Sequence, residues 1–196
     1  MTTGLLAGYL LFVIGCAALW HPAVSSRLDR SPWWVGVVFP GGGLAVLALL
    51  AAEFQSGPAP GRVVGTSAVL AVLAAVLGGG PVTLAVLRGA ERSGFPGLTD
   101  VPGISRKTGV ELRPDRLGPS GEVLRGGAWI GILERAAVAV CLLTGEVGAV
   151  AVVVAVKGLA RYPELRVPGA SERFIIGTFA SLLWSAGAAG VAVLFW

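Results

Sequence analysis

Charge is what this sequence most conspicuously lacks. Only 13% of its 196 residues are Asp, Glu, Lys or Arg, about half the share of an ordinary globular domain. It holds one His, two Cys and one Met. A lone His and two Cys buried in apolar runs exclude a histidine metal cluster and a disulfide framework. Nucleotide-binding glycine fingerprints, the HExxH zinc motif and the nucleophile elbow are absent. So is an Asp-rich pair that could hold a diphosphate through magnesium. No metal site and no cofactor are expected.

What remains is apolar. Hydrophobic residues make up 55% of the chain, and the mean hydropathy is +0.80. This excludes disorder and an ordinary soluble enzyme and points to a polytopic membrane protein. A membrane-crossing helix needs about 20 mainly apolar residues. The apolar runs lack the alternation of barrel strands, so an all-α bundle is expected. Six spans are read: Leu5–Trp20, Trp33–Ala52, Val63–Leu87, Ala128–Leu143, Val147–Arg161 and Phe174–Trp196. Leu143-Thr144-Gly145-Glu146 reads as a helix stop and turn, dividing the fourth span from the fifth.

Six spans with both termini outside put every basic residue except Arg62 on the inner side. Five spans would strand Lys157, Arg161, Arg166 and Arg173 on the outer one. The excess of Lys and Arg in cytoplasmic loops therefore favours six, with the plasma (inner) membrane as the location. The net charge of +4 follows from that topology and implies no nucleic acid. Trp20, Trp33, Trp34, Trp129 and Tyr162 fit an inner aromatic belt. The first span carries Val13-Ile14-Gly15-Cys16, which looks like a lipobox. No basic residue precedes it, so it reads as a span rather than a cleaved signal.

The chain divides into a three-span half (1–88), a polar Pro/Gly-rich cytoplasmic stretch (89–126) and a second three-span half (127–196). The turn residues of the polar stretch would allow a small hairpin around Gly109–Val123. The stretch would cover the bundle's cytoplasmic mouth or act as a linker.

Three features depart from plain apolar helices at one depth. Phe39-Pro40-Gly41-Gly42-Gly43 and Gly78-Gly79-Gly80-Pro81 each lie about 10–15 Å from the cytoplasmic ends of the second and third spans. Proline and glycine weaken a helix, so both spans are expected to kink. Paired interruptions of this kind point to binding sites in transporters, and Pro40, Gly41, Gly80 and Pro81 are candidates to line one. Close packing of small residues is the plainer reading. The third feature is charge: Glu134 and Arg135 on the fourth span, Lys157 and Arg161 on the fifth, and Glu164, Glu172 and Arg173 around the entry to the sixth. Ionised groups inside a membrane cost free energy and mark functional sites or structural ion pairs. On the functional reading Arg135, Lys157 and Arg161 clamp an anionic head group. Glu134 acts as acid or base, and Glu172, Thr178 and Ser181 complete the site. Gly177, Ser181, Ser185 and Ala189, four residues apart, mark a packing seam on the sixth span, internal or between the copies of a homo-oligomer.

The segments Trp129-Ile130-Gly131-Ile132-Leu133-Glu134-Arg135, Lys157-Gly158-Leu159-Ala160-Arg161-Tyr162-Pro163-Glu164-Leu165 and Ser171-Glu172-Arg173-Phe174-Ile175-Ile176-Gly177-Thr178-Phe179-Ala180-Ser181 together resemble a C-terminal module. It belongs to bacterial multi-pass membrane proteins, actinobacterial ones among them, some with an attached domain of unknown function. The resemblance covers about a third of the chain and implies that the last three spans form a unit. It carries over no activity. Three functions follow as expectations. One is a cytoplasm-facing site that binds or processes a lipid or isoprenoid-like amphiphile, for instance by acid-initiated cyclisation or isomerisation. Another is a small transporter or permease component, and the last a non-catalytic scaffold or assembly protein.

Overall fold

The computed structural model describes residues 2–19, 32–54, 60–92, 123–162 and 170–196. These form six α-helices and, among the described residues, no strand. In chain order they are α1 (Thr2–Ala18), α2 (Val35–Phe54), α3 (Gly61–Arg92), α4 (Val123–Leu143), α5 (Val147–Ala160) and α6 (Ala170–Val193). Each expected span corresponds to one helix. Three stretches, Val35–Glu53, Gly61–Arg92 and Ser171–Val193, are long and apolar enough to cross a membrane. Gly4–Ala18 and Val147–Ala160 are apolar but shorter. These helices mark the chain as a membrane protein.

The centre of the bundle is α3, which shares its largest interface with α6 and also touches α1, α2 and α4. Its sequence explains the position. The buried side of α3 is nearly all small: Ser67, Ala71, Ala74, Ala75, Gly78, Gly79, Ala85 and Gly89. Small residues let backbones approach closely, which suits association in lipid. The seam expected on α6 is internal, since Ser185 and Ala189 are fully buried and Gly177 faces Thr83 and Leu87 of α3.

Aromatic residues fill what the small ones leave. Tyr9 of α1 is fully buried, stacks on Phe195 and donates a 3.0 Å hydrogen bond to the Ala188 carbonyl. Trp184 of α6 donates to the Ala74 carbonyl at 3.0 Å, and the Trp196 indole donates to the Ser67 hydroxyl at 3.0 Å. Buried indole and phenol groups need such partners. The outward faces are apolar, with Leu11, Leu49, Phe39, Phe179 and Leu183 exposed, as a lipid environment requires.

Two boundaries differ from the sequence reading. Gly89–Arg92, assigned to the polar stretch, continues α3, and Val123–Gly127 begins α4. Gly89 does not end its helix because it is a packing seat: a Cβ there would come within 2.6 Å of the Trp33 ring. One turn past Leu87, Glu91 of α3 pairs with Arg173 of α6. Val123 opens a helix rather than closing a hairpin, and the rest of that expected hairpin lies outside the described residues. So do 93–122, Trp20, His21 and Glu164.

At the expected kinks the helices do not break. Both α2 and α3 run through Pro40 and Pro81 as continuous helices. The turn between α4 and α5 is where it was expected, with Gly145 at φ +80°, a backbone conformation that glycine adopts without steric cost.

Candidate functional site

Glu134 and Arg135 are neighbours on α4, about 100° apart around the helix, so they serve different partners. Glu134 faces the returning helix of the hairpin, where its Oε2 pairs with the Lys157 ammonium of α5. The two side chains keep 15% and 20% of their exposure. The Lys157 ammonium also lies 5.9 Å from the centroid of the Phe174 ring on α6, within the range of cation–π attraction. One carboxylate therefore ties α4 to α5, and the cation it holds reaches α6.

Arg135 faces the other way and is buried, 7% exposed. Its side chain crosses Gly79 of α3, where a Cβ would meet the Arg135 Cδ at 2.2 Å. On its own helix Gly131 leaves the guanidinium room, since a Cβ there would stand 3.2 Å from Nη1. Gly78, beside Gly79, seats the Trp184 indole in the same manner, at 2.3 Å. The triple glycine of α3 is thus a pair of sockets, one for a cation and one for an indole.

Between these groups lies a gap of about 10 Å³. It is lined by Glu134, Arg135 and Val138 of α4, Val153, Val154 and Lys157 of α5, and Thr178, Ser181, Leu182 and Ser185 of α6. That is about the least space that holds one water. Four buried polar atoms at this end of the bundle have no hydrogen-bond partner among the described residues: Thr83 Oγ1, Arg135 Nε, Glu172 Oε2 and Thr178 Oγ1. Ser185 is satisfied locally and donates to the Ser181 carbonyl at 3.0 Å.

The structure therefore brings together Glu134, Arg135, Lys157, Thr178 and Ser181. It places Arg161 at the exposed C-cap of α5 and Glu172 in the first turn of α6, both outside the lining of the gap. The two prolines lie at matching depth. Trp33 meets Gly89, and Gly36 meets Ala85. Continued along the antiparallel pair, that register sets Pro40 opposite Pro81. Neither of them lines the gap among the charges. Pro40 is buried, Gly80 and Pro81 are half-buried, and Gly41 faces outward with nothing within 4 Å of a Cβ added there. Gly43 seats Phe12. Close packing accounts for Gly43, Gly78 and Gly79, where rings and an arginine stem occupy the space that the missing side chains leave, whereas Gly41 and Gly42 are open.

Tyr9, Trp184 and the Trp196–Ser67 pair are the anchoring groups that the sequence reading passed over. Their signal was a polar aromatic group in an otherwise apolar helix, which needs a buried acceptor. Among the described residues no group of three or more His, Cys, Asp or Glu could hold a metal ion. Cys16 is buried and Cys141 half-buried, both as free thiols. No family model, curated protein or solved structure matches this chain.

Proposed function

We propose that the chain is a six-span membrane protein whose intramembrane charges serve architecture rather than chemistry, a non-catalytic scaffold or assembly component. One observation carries this reading: the space among Glu134, Arg135, Lys157 and Thr178 is about 10 Å³. A ligand pocket for a small molecule is typically about 300–1,000 Å³. Glu134 already has its partner in Lys157, and Arg135 already lies in the seat that Gly79 offers. The α4–α5 hairpin is held to the rest of the bundle by the packing of α4 on α3 and α6, and α5 adds the Lys157–Phe174 contact. Six spans and a basic inner face remain part of the proposal, supported by the six helices and by the clustering of described basic residues at one end of the bundle.

Processing of an amphiphile by Glu134, or passage of a substrate along the proline-bearing helices, would require the hairpin to swing away from α6. Replacing Glu134 by Gln separates the readings. In a scaffold, E134Q lowers the unfolding temperature in detergent, and E134Q/K157Q recovers part of the loss because no lone charge is left in the interior. Full stability of E134Q, together with loss of a co-purifying amphiphile, would overturn the proposal in favour of a site.

A further inference from the structure

Two open grooves on the described residues differ in one respect that decides what they can bind. A groove of about 510 Å³ between α1 and α2 is walled by Gly8, Phe12, Val38, Phe39 and their neighbours and has no charged residue. A groove of about 690 Å³ between α1 and α3 has carbon walls from Leu6, Ala7 and Leu10 and from Gly65, Val69 and Leu70, with Arg62 and Thr66 at one end. Arg62 is the basic residue that the charge pattern leaves on the wrong side. Every other Lys and Arg of the chain falls at the opposite end on the six-span reading. A cation that breaks the topological bias, placed at the mouth of an apolar groove of this size, calls for a ligand.

We infer that this groove binds the acyl chain of an anionic phospholipid, with its phosphate at Arg62. The inference rests on the chain being membrane-embedded, and it is independent of what Glu134 does. Gly65 forms the open side of the groove, with nothing within 4 Å of a Cβ placed there. Ala7 on the facing helix is also small. The Thr66 hydroxyl is occupied within its own helix by the Arg62 and Val63 carbonyls at 2.8 and 3.1 Å. Head-group selection therefore falls to the Arg62 guanidinium, which is exposed. It sits in the first turn of a 32-residue helix, where the axial dipole also favours an anion. The polar group at one end and apolar walls along the rest match a molecule with one charged end and a hydrocarbon tail.

The test uses the full-length protein in nanodiscs containing equal phosphatidylglycerol and phosphatidylcholine, extracted gently and weighed intact by native mass spectrometry. The protein should retain one lipid with an about five-fold preference for phosphatidylglycerol, the ratio that one basic residue near an anionic surface supports. In R62Q the lipid should remain and the preference should fall to parity. In G65F, which fills the groove at a position open to lipid, both should be lost, with helix content unchanged. F39A, in the uncharged groove, should leave both intact. A preference that survives R62Q, or a lipid that survives G65F, would overturn the inference. Failure of E134Q to destabilise the protein would bear only on the scaffold proposal.

Discussion

At the scale of single residues, glycines in the two glycine-rich segments make opposite demands. Gly78 holds a rigid indole at a distance no Cβ tolerates, whereas Gly41 on α2 meets nothing. Replacing Gly78 by Ala should cost about 1–3 kcal/mol through overpacking. The same change at Gly41 should be neutral or stabilising by up to ~1 kcal/mol, since alanine favours the helix. Thermal unfolding of the two variants in the same detergent checks the contrast. Tyr9→Phe should cost about 1 kcal/mol, the usual worth of one hydrogen bond, because the Ala188 carbonyl loses its only side-chain donor among the described residues. A Y9F protein as stable as the parent would show that the phenol hydroxyl adds nothing to the stacking on Phe195. For Glu134 and Lys157, removing one partner of a buried pair costs about 3–5 kcal/mol, and the remaining exposure of both side chains brings the expected loss down to about 2 kcal/mol. A double-mutant cycle isolates that term. The tight hairpin set Glu134 opposite Lys157 or Arg161 in the sequence, and the structure selects Lys157. The division of labour between Glu134 and Arg135 was not legible, because it depends on where α3 sits, and sequence distance along α4 says nothing of that.

At the scale of helices, apolar length located all six and the Thr144-Gly145-Glu146 turn divided the long C-terminal run correctly. The glycine–proline segments do not break their helices, and the reason is physical. Intrinsic helix weakness is a property of an isolated chain, whereas lipid gives backbone groups no alternative partner. The sockets in α3 and α2 are filled by side chains distant in sequence, Trp184, Arg135 and Phe12, so weak propensity became close packing. The ends of α3 and α4 were misjudged similarly. Gly89 was placed in the polar stretch, but Trp33 packs on it. The central rank of α3 could have been read from its spacing of Ser, Ala and Gly. Hydrophobicity alone favours no helix over its neighbours. The Trp196–Ser67 bond joins the two most intimate helices, so S67V should loosen the C-terminal turn of α6 more than any other element. Hydrogen exchange that rises first in residues 190–196 is the expected outcome, and uniform exchange would contradict it.

At the scale of the whole molecule, charge asymmetry is the organising pattern. Trp33, Arg88, Arg92, Lys157, Arg161 and Arg173 lie at one end, whereas Arg62 and Glu146 lie at the other, in keeping with antiparallel neighbours and six crossings. In a background lacking Cys16 and Cys141, a cysteine at Glu146 and a cysteine at Arg92 should react with an impermeant maleimide from opposite sides of the membrane. Reaction from the same side would remove the six-span topology. The two halves of the chain are joined through α3 and α6, so the C-terminal three helices are not packed apart from the rest.

One dimension of α5 carries further. Its 14 residues span about 21 Å, against a hydrocarbon layer of about 30 Å. None of them is buried, and Glu146 at the tip is exposed. On the six-span reading a carboxylate cannot rest comfortably below the surface of the hydrocarbon, so the bilayer would have to dip to meet it. The flank bearing α5 would then be a shallow depression in the sheet of lipid. Other proteins with short spans would lower their own mismatch by gathering there.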